Sequence, residues 1–565
     1  MRDLVRRSLV TATMLALLLG LIGVSAPVTL ARGDTATRVA GIDIDASTIP
    51  QLQRLMDRHR LKSVQLVQFY LHRIAKLNGR LNAVITVSPT ALADAREADK
   101  ARRRGDHRPL LGIPVIVKDN IDTTGMPTTA GSWALAGSRP SDAFVVRRLK
   151  AAGALIIAKA NLSEWANFRS IPSSSGWSGI GDQTNMPYVL DRNPCGSSSG
   201  SGVVAAADLA TVAVGTETDG SIVCPAGANG IVGIKPTLGL LSRAGIVPIS
   251  ADQDTSGPMT RNVTDAAVVL GAMTGIDPAD PATAAQAGHA FTNYRPFLDV
   301  HALEGARIGV WRTGTYDPKI SPEVDALVNQ AVAVLRAQGA IVIDETRIPI
   351  EPAYGPEFTA LLCEFKDDIA SYLRTYTAPR FPKTLKDLID FNNAHPDLEG
   401  PWNSALFDMA QATGGRSAAD CIAARQQATS IAKASLDDTL AKFDLDAIIA
   451  PTNGPAWVTD PVKGDLSGDF SKFVGSSSPP AIAGYPAIAV PAGFAGPLPL
   501  DISFLGARWD EPILISFAYD FEQATHARRP PQFLPTLGAS PIRKPKPHAA
   551  HGASLAEQRR MHATR

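Results

Sequence analysis

Short apolar runs separated by helical stretches constrain this chain more than any other feature of it. Leu111 to Val117, Ala154 to Ala158, Ala306 to Val310, Ala340 to Ile343 and Asp444 to Ala450 are each of strand length and nearly continuous in apolar residues. Such a strand has to be covered on both faces, as in sheets flanked by helices. Ala143 to Ala152 and Glu323 to Gln338 read as helices between these runs, and the alternation predicts α/β architecture. The 565 residues are 45% hydrophobic and 19% charged, enough apolar material for a large core in one enzyme-sized unit.

One stretch stands apart, Cys195 to Pro225, CGSSSGSGVVAAADLATVAVGTETDGSIVCP. Alone, GSSSGSG reads as a flexible linker. Its neighbours in the chain overturn that. Gly200 to Leu209 is a run of small residues that predicts a tightly packed helix, Thr211 to Gly215 alternates like a short strand, and a second Gly/Ser turn closes the unit. Glycine lets a backbone turn sharply and approach a ligand, so Ser197 and Ser221 both sit where an exposed nucleophile is built. Thr218, Asp219, Gly220 and Ser221 also offer consecutive backbone N–H groups for a developing oxyanion.

The stretch resembles the signature of the amidase signature family: a Gly-Ser-Ser-Gly turn, a small-residue helix, then Gly-Thr-Asp-x-Gly-Gly-Ser. The resemblance implies a Ser–cis-Ser–Lys triad, with Ser221 as nucleophile and Ser197 as the bridging serine. The family's lysine ends a strand, and LLGIPVIVKDNIDTTG supplies Lys118 there. GIVGIKPTLGLLSRAGIVPIS and DQDTSGPMTRNVTDAAVVL also look like family motifs, with Asn229 and Lys235 read as structural. The chain departs from the pattern at Cys195, Glu217, Asp219 and Val223. CGSSSG with TETDGSIVCPA is closer to the peptide amidases than to tRNA-dependent amidotransferases. The likeness spans about residues 42–535 and implies one large domain with a twisted mixed sheet, helices on both faces, and a helical cap over about 350–435.

The chemistry rests on the residue types. An amide carbonyl is a poor electrophile, so Ser221 must lose its proton to attack and form an acyl-enzyme. No histidine lies in the signature, which leaves Lys118 as base, and only its neutral form serves. An ordinary lysine pKa of about 10.4 must fall by several units, and burial does this by disfavouring the ammonium. Asp119 and Asp122 would oppose the shift if they faced it. Ser197 would relay the proton, and the chemistry requires no metal or cofactor. The expected substrate is a small or short-peptide amide, C-terminal peptide amides or other primary amides releasing ammonia. Aryl-acylamidase or fatty-acyl amide hydrolase activity are the alternatives within the class. A catalytically silent binding protein is the alternative outside it, and the filled triad positions argue against that.

The remaining features bound the setting. With 55 Lys and Arg against 54 Asp and Glu, the net charge of +1 gives no basis for binding nucleic acid. Residues 1–31 carry a basic start, an apolar run from Leu9 to Ala26 and small residues around Ala26 and Ala31, an export signal. Retained, that run would anchor the chain in a membrane. Cys195, Cys224, Cys363 and Cys421 lack metal-ligand spacing and are read as packing thiols, with a bridge between Cys195 and Cys224 as the alternative in an exported protein. The loop from Ile171 to Pro194, leading into the first serine turn, is expected to line the site or to be plain surface. The basic, Pro-rich stretch 536–565 is expected to be disordered, its three histidines incidental.

Overall fold

The computed structural model describes residues 37–312, 315–319, 321–466 and 475–538. The export-signal reading and nearly all of the basic C-terminal stretch therefore lie outside the described residues. Among those residues, no helix is long and apolar enough to cross a membrane.

One mixed sheet of 11 strands organises the chain. In chain order these are β1 (Val84–Val87), β2 (Pro114–Lys118), β3 (Leu155–Ala160), β4 (Val212–Glu217), β5 (Val232–Lys235), β6 (Thr255–Thr260), β7 (Arg307–Trp311), β8 (Ile341–Thr346), β9 (Ala447–Pro451), β10 (Ala487–Ala495) and β11 (Leu498–Leu505). Across the sheet they run β8-β7-β9-β11-β10-β5-β6-β4-β2-β3-β1. Parallel pairs at each side, β8/β7/β9 and β4/β2/β3, flank an antiparallel middle. Every residue of β2, β3, β4 and β6 is buried. Because successive side chains point to opposite faces, helices must cover both, as the apolar runs predict. Edge strand β8 is the contrast, with only Thr346 buried.

The Ser/Gly run is no linker. Ser199–Ala206 forms helix α1, buried over its whole length. A Cβ at Gly200 would collide with the backbone carbonyls of Asn161 and Ala83, so the small residues are what let this helix sit against β3. A short helix α2 (Val223–Ala228) comes after the second serine turn. Over the site lie the long helices α3 (Tyr354–Tyr376) and α4 (Ala419–Phe443), with Leu385–Ala394 and Ala405–Ala412 between them. Leu361, Phe365, Ile369 and Phe407 from these helices form a second apolar cluster with Trp165, Phe168 and Ile249. The main core surrounds the sheet.

Three local expectations are corrected. The spacing predicts Ser63 as an N-cap, but the helix runs Ser63–Leu81 with Lys62 at the cap. The Asp99 carboxylate, from the next helix, takes the Ser63 and Val64 N–H groups instead. The basic run 102–104 at the end of a polar helix reads as solvated surface, but Arg102 is buried, reaching Gln53 and the Leu111 carbonyl. The four cysteines are not packing thiols. Cys195 bridges Cys224 and Cys363 bridges Cys421. The first pairing is the alternative weighed from the sequence, while the Cys363–Cys421 bridge, 58 residues apart in the chain, was not anticipated.

Candidate active site

Parallel neighbours β2 and β4 bring the chemistry together. Their register sets Val117 opposite Val214, so Lys118 at the end of β2 lies beside the last residues of β4. Lys118 is wholly buried. Its Nζ lies 2.7 Å from Ser197 Oγ, 2.9 Å from Thr216 Oγ1 and 3.3 Å from the Thr216 carbonyl oxygen. Asn120 Nδ2 donates to the same Thr216 hydroxyl at 2.9 Å. A neutral amine has two N–H donors and one lone pair. With Thr216 taking both donors, the lone pair is left facing the Ser197 hydroxyl.

Burial pushes the Lys118 amine down to about 7, against the pull of Asp254 and Glu217, the acidic groups that face it. Asp119 and Asp122 face elsewhere. Asp119 sits 3.2 Å from the Lys159 ammonium, and Asp122 accepts the Tyr372 hydroxyl at 2.7 Å. Lys159 thus pairs at close range with Asp119, while burial pushes the Asp122 carboxyl up to about 7.

Ser197 and Ser221 occupy two turns tied to each other. The Gly196–Ser197 peptide bond is cis. The Ser198 N–H donates to the Ser221 carbonyl at 3.2 Å. Asn229 Nδ2 donates to both the Pro194 and Pro225 carbonyls, and the Cys195–Cys224 disulfide crosses the same gap. A cross-link closing a loop of this size contributes about 2–4 kcal/mol by restricting the unfolded chain. Lys235 Nζ donates to the carbonyls of Pro236, Pro480 and Tyr485, so Lys235 and Asn229 brace the backbone as expected.

Ser221 is nearly buried and opens onto a cavity of about 380 Å³. Gly220 precedes it at φ +79°, a conformation that favours glycine. Glu217, where the family pattern has aspartate, accepts the Ile222 and Val223 N–H groups at 2.6 and 3.0 Å, holding the chain just past the serine. Thr218, Asp219 and Gly220 line the same cavity. The backbone N–H groups of Asp219, Gly220 and Ser221 donate to no acceptor among the described residues, which leaves them for a ligand. The Ser221 hydroxyl likewise makes no hydrogen bond among the described residues, so Lys118–Ser197 is the one contact formed among the three expected triad side chains there. Nucleophile contacts commonly tighten only when substrate binds.

The cavity walls come from separate parts of the chain: Phe168, Ile249, Leu361 and Trp457. Of the loop from Ile171 to Pro194, Ser175 alone reaches the lining among the described residues; the rest is partly or fully buried, with only Ile171 and Asp182 exposed. Thr216, Asn120, Asp254 and the wall residues escaped the sequence reading. Thr216 was within reach, since it lies in the TETDGS run two residues before Thr218 on an alternating strand.

A family profile described as Amidase matches residues 65–515. A probable amidase of Arabidopsis thaliana is 41% identical over 507 residues, 87% of this chain and 92% of the plant protein. The X-ray structure of native peptide amidase from Stenotrophomonas maltophilia superposes with a TM-score of 0.82 at 48% identity, covering 86% of this chain and 99% of that chain. The crystal structure of an amidase family protein from Bacillus anthracis superposes with a TM-score of 0.77 at 33% identity, covering 86% of this chain and 92% of that chain.

Proposed function

The chain belongs to the amidase family of amide-hydrolysing enzymes, and from that premise we propose that it cleaves C-terminal peptide amides or other primary amides through Ser221, Ser197 and Lys118. The observation that carries this reading is the wholly buried Lys118 amine, 2.7 Å from Ser197 Oγ, beside the cavity onto which Ser221 opens. Neutral Lys118 takes the Ser197 proton as Ser197 takes that of Ser221. Ser221 Oγ bonds to the amide carbon, and the carbonyl oxygen gains the negative charge that the N–H groups of Asp219, Gly220 and Ser221 receive. Return of the proton through Ser197 to the amide nitrogen lets the C–N bond break, releasing ammonia and leaving the acyl group on Ser221. Water, deprotonated by the same relay, frees the acid.

Support for a peptide amide comes from the half-apolar walls of Phe168, Ile249, Leu361 and Trp457 and from the peptide amidase relative at 48% identity. A peptide amidase structure of equal identity holds the competitive inhibitor chymostatin. Ammonia release from peptide amides, set against release from anilides and fatty amides, tests the substrate. Peptide amides should be cleaved with the highest kcat/KM. Preference for anilides or fatty amides would move the substrate class and leave the mechanism.

The same assay tests the base. Lys118 works only when neutral, so kcat/KM should fall about tenfold per pH unit below about 7 and level off above it. Asp254 is itself pushed up to about 7 by burial, so the profile is repeated with Asp254→Asn. Losing a carboxylate that favours the ammonium lowers the Lys118 pKa, and the acid limb should shift to lower pH. A limb that disappears in Asp254→Asn would assign the titration to Asp254 and remove Lys118 from the role.

We further place the enzyme outside the cytoplasm. Two disulfides among the described residues support this, since such bonds persist in oxidising compartments. Protein recovered outside the cell should start near residue 27 or 32 and titrate no free thiol. Full-length chain with four free thiols inside the cell would overturn the placement.

A further inference from the structure

Between the oxyanion turn and the helices above it runs a buried polar chain that the mechanism does not use. Gln253 is its centre. Its Nε2 donates to the Thr218 carbonyl at 3.0 Å and to Glu357 Oε1 at 2.6 Å. Its Oε1 accepts from Arg425 Nη1 at 2.8 Å. One donor and two acceptors around the amide admit a single orientation of its O and N atoms. Arg425 in turn grips both oxygens of Glu364, at 2.7 and 2.6 Å. Glu357 and Glu364 stand on α3 and Arg425 on α4. The Cys363–Cys421 disulfide joins the two helices at the residue before Glu364 and one turn before Arg425.

This chain ends on the peptide unit between Thr218 and Asp219. That peptide is trans, so its C=O and N–H point in opposite directions. A donor that fixes the carbonyl therefore fixes the N–H. The Thr218 hydroxyl is held as well, by Asp254, whose other oxygen takes the Ile249 and Ser250 N–H groups. The Asp219 N–H, on the far side of the held carbonyl, has no partner among the described residues, and Asp219 lines the cavity beside Ser221.

We propose that Gln253 is a positioning residue: by holding the Thr218 carbonyl it aims the Asp219 N–H at the oxygen that becomes negative when Ser221 attacks. Arg425, Glu364 and the Cys363–Cys421 bridge hold Gln253 in that orientation. The reading rests on Ser221 as nucleophile, and it assigns to α3 and α4 a part in transition-state geometry besides the wall residue Leu361 that α3 supplies.

The test compares Gln253→Met, which keeps the length and removes the amide, with the parent enzyme and with Ser221→Ala on one peptide amide. Two inhibitors accompany it: a peptide aldehyde, which adds to a serine and places an oxyanion in the hole, and the matching peptide alcohol, which adds to nothing. In Gln253→Met, kcat should fall about 10–100-fold, less than the loss of a whole donor, because the N–H remains and only its aim is lost. KM should stay within about threefold, aldehyde inhibition should weaken in step with kcat, and alcohol inhibition should hold. Arg425→Met should show the same pattern at smaller size, and it carries the test where Gln253→Met does not fold. Unchanged kcat and aldehyde affinity, or equal losses for aldehyde and alcohol, would overturn the proposal. If Ser221→Ala is inactive while Gln253→Met is fully active, positioning alone fails. If Ser221→Ala is active, the nucleophile assignment fails first.

Discussion

Ser221→Ala should lower kcat for amide hydrolysis by about 10⁴–10⁶-fold, the range seen when a hydrolase loses its nucleophile. The substitution removes one oxygen from a side chain that makes no hydrogen bond among the described residues, so neither packing nor any polar contact is lost with it. The free N–H groups beside it belong to the backbone and remain. Substrate should therefore still bind, with KM within a few-fold of the parent, and the thermal midpoint should hardly move. That combination separates chemistry from folding. A variant that keeps a tenth of the parental kcat would remove Ser221 as nucleophile and leave Ser197, the other signature serine, as the residue to test.

Lys118→Met should cost about 10³–10⁵-fold, through a different loss. Methionine matches the lysine chain in length and suits a wholly buried site, but it carries no lone pair for the Ser197 proton. It also takes one donor from each Thr216 oxygen, a modest loss because Asn120 Nδ2 still donates to the hydroxyl and Ser198 Oγ to the carbonyl. Against that, methionine carries no amine to desolvate, so the net stability change should be small. The informative readout is the pH profile. If Lys118 is the base, the residual activity of Lys118→Met is flat where the parent falls below about pH 7. Lys118→Arg should be equally inactive, since a guanidinium does not give up its proton in this range. Parental activity in either variant would remove the lysine from the mechanism.

How far the sequence carried the reading depended on distance along the chain. Lys118, Ser197 and Ser221 each come after a glycine-rich turn or end an apolar strand, and those local patterns are legible without a structure. So was the α/β class, because strands buried on both faces are written as unbroken apolar runs. What brings Lys118 to Ser197 is the pairing of β2 with β4 across nearly 100 residues, and no local pattern encodes a neighbour. Asp254 and Gln253 show the same limit: DQDTSGPMTR reads as a motif, yet its Asp254 faces the Lys118 amine and its Gln253 meets helices more than 100 residues away. The Cys363–Cys421 pairing was missed for the same reason, and Cys195–Cys224 stood only as an alternative, since spacing alone does not set connectivity. Asp119 and Asp122 were visible beside Lys118, but only the fold shows that Lys159 and Tyr372 have claimed them.

The cavity walls have one more consequence. Phe168 lies beyond β3, Ile249 between β5 and β6, Leu361 on α3 and Trp457 beyond β9, and none of these segments carries Lys118, Ser197 or Ser221. On the proposed reaction, selectivity and chemistry thus sit on different stretches of the polypeptide. Phe168, Ile249 and Leu361 pack in one apolar cluster, so substitutions among them should couple, while Trp457 stands in another. A lineage, or a library, is then expected to resculpt those three walls together while leaving the stretches that carry Lys118 and the two serines untouched.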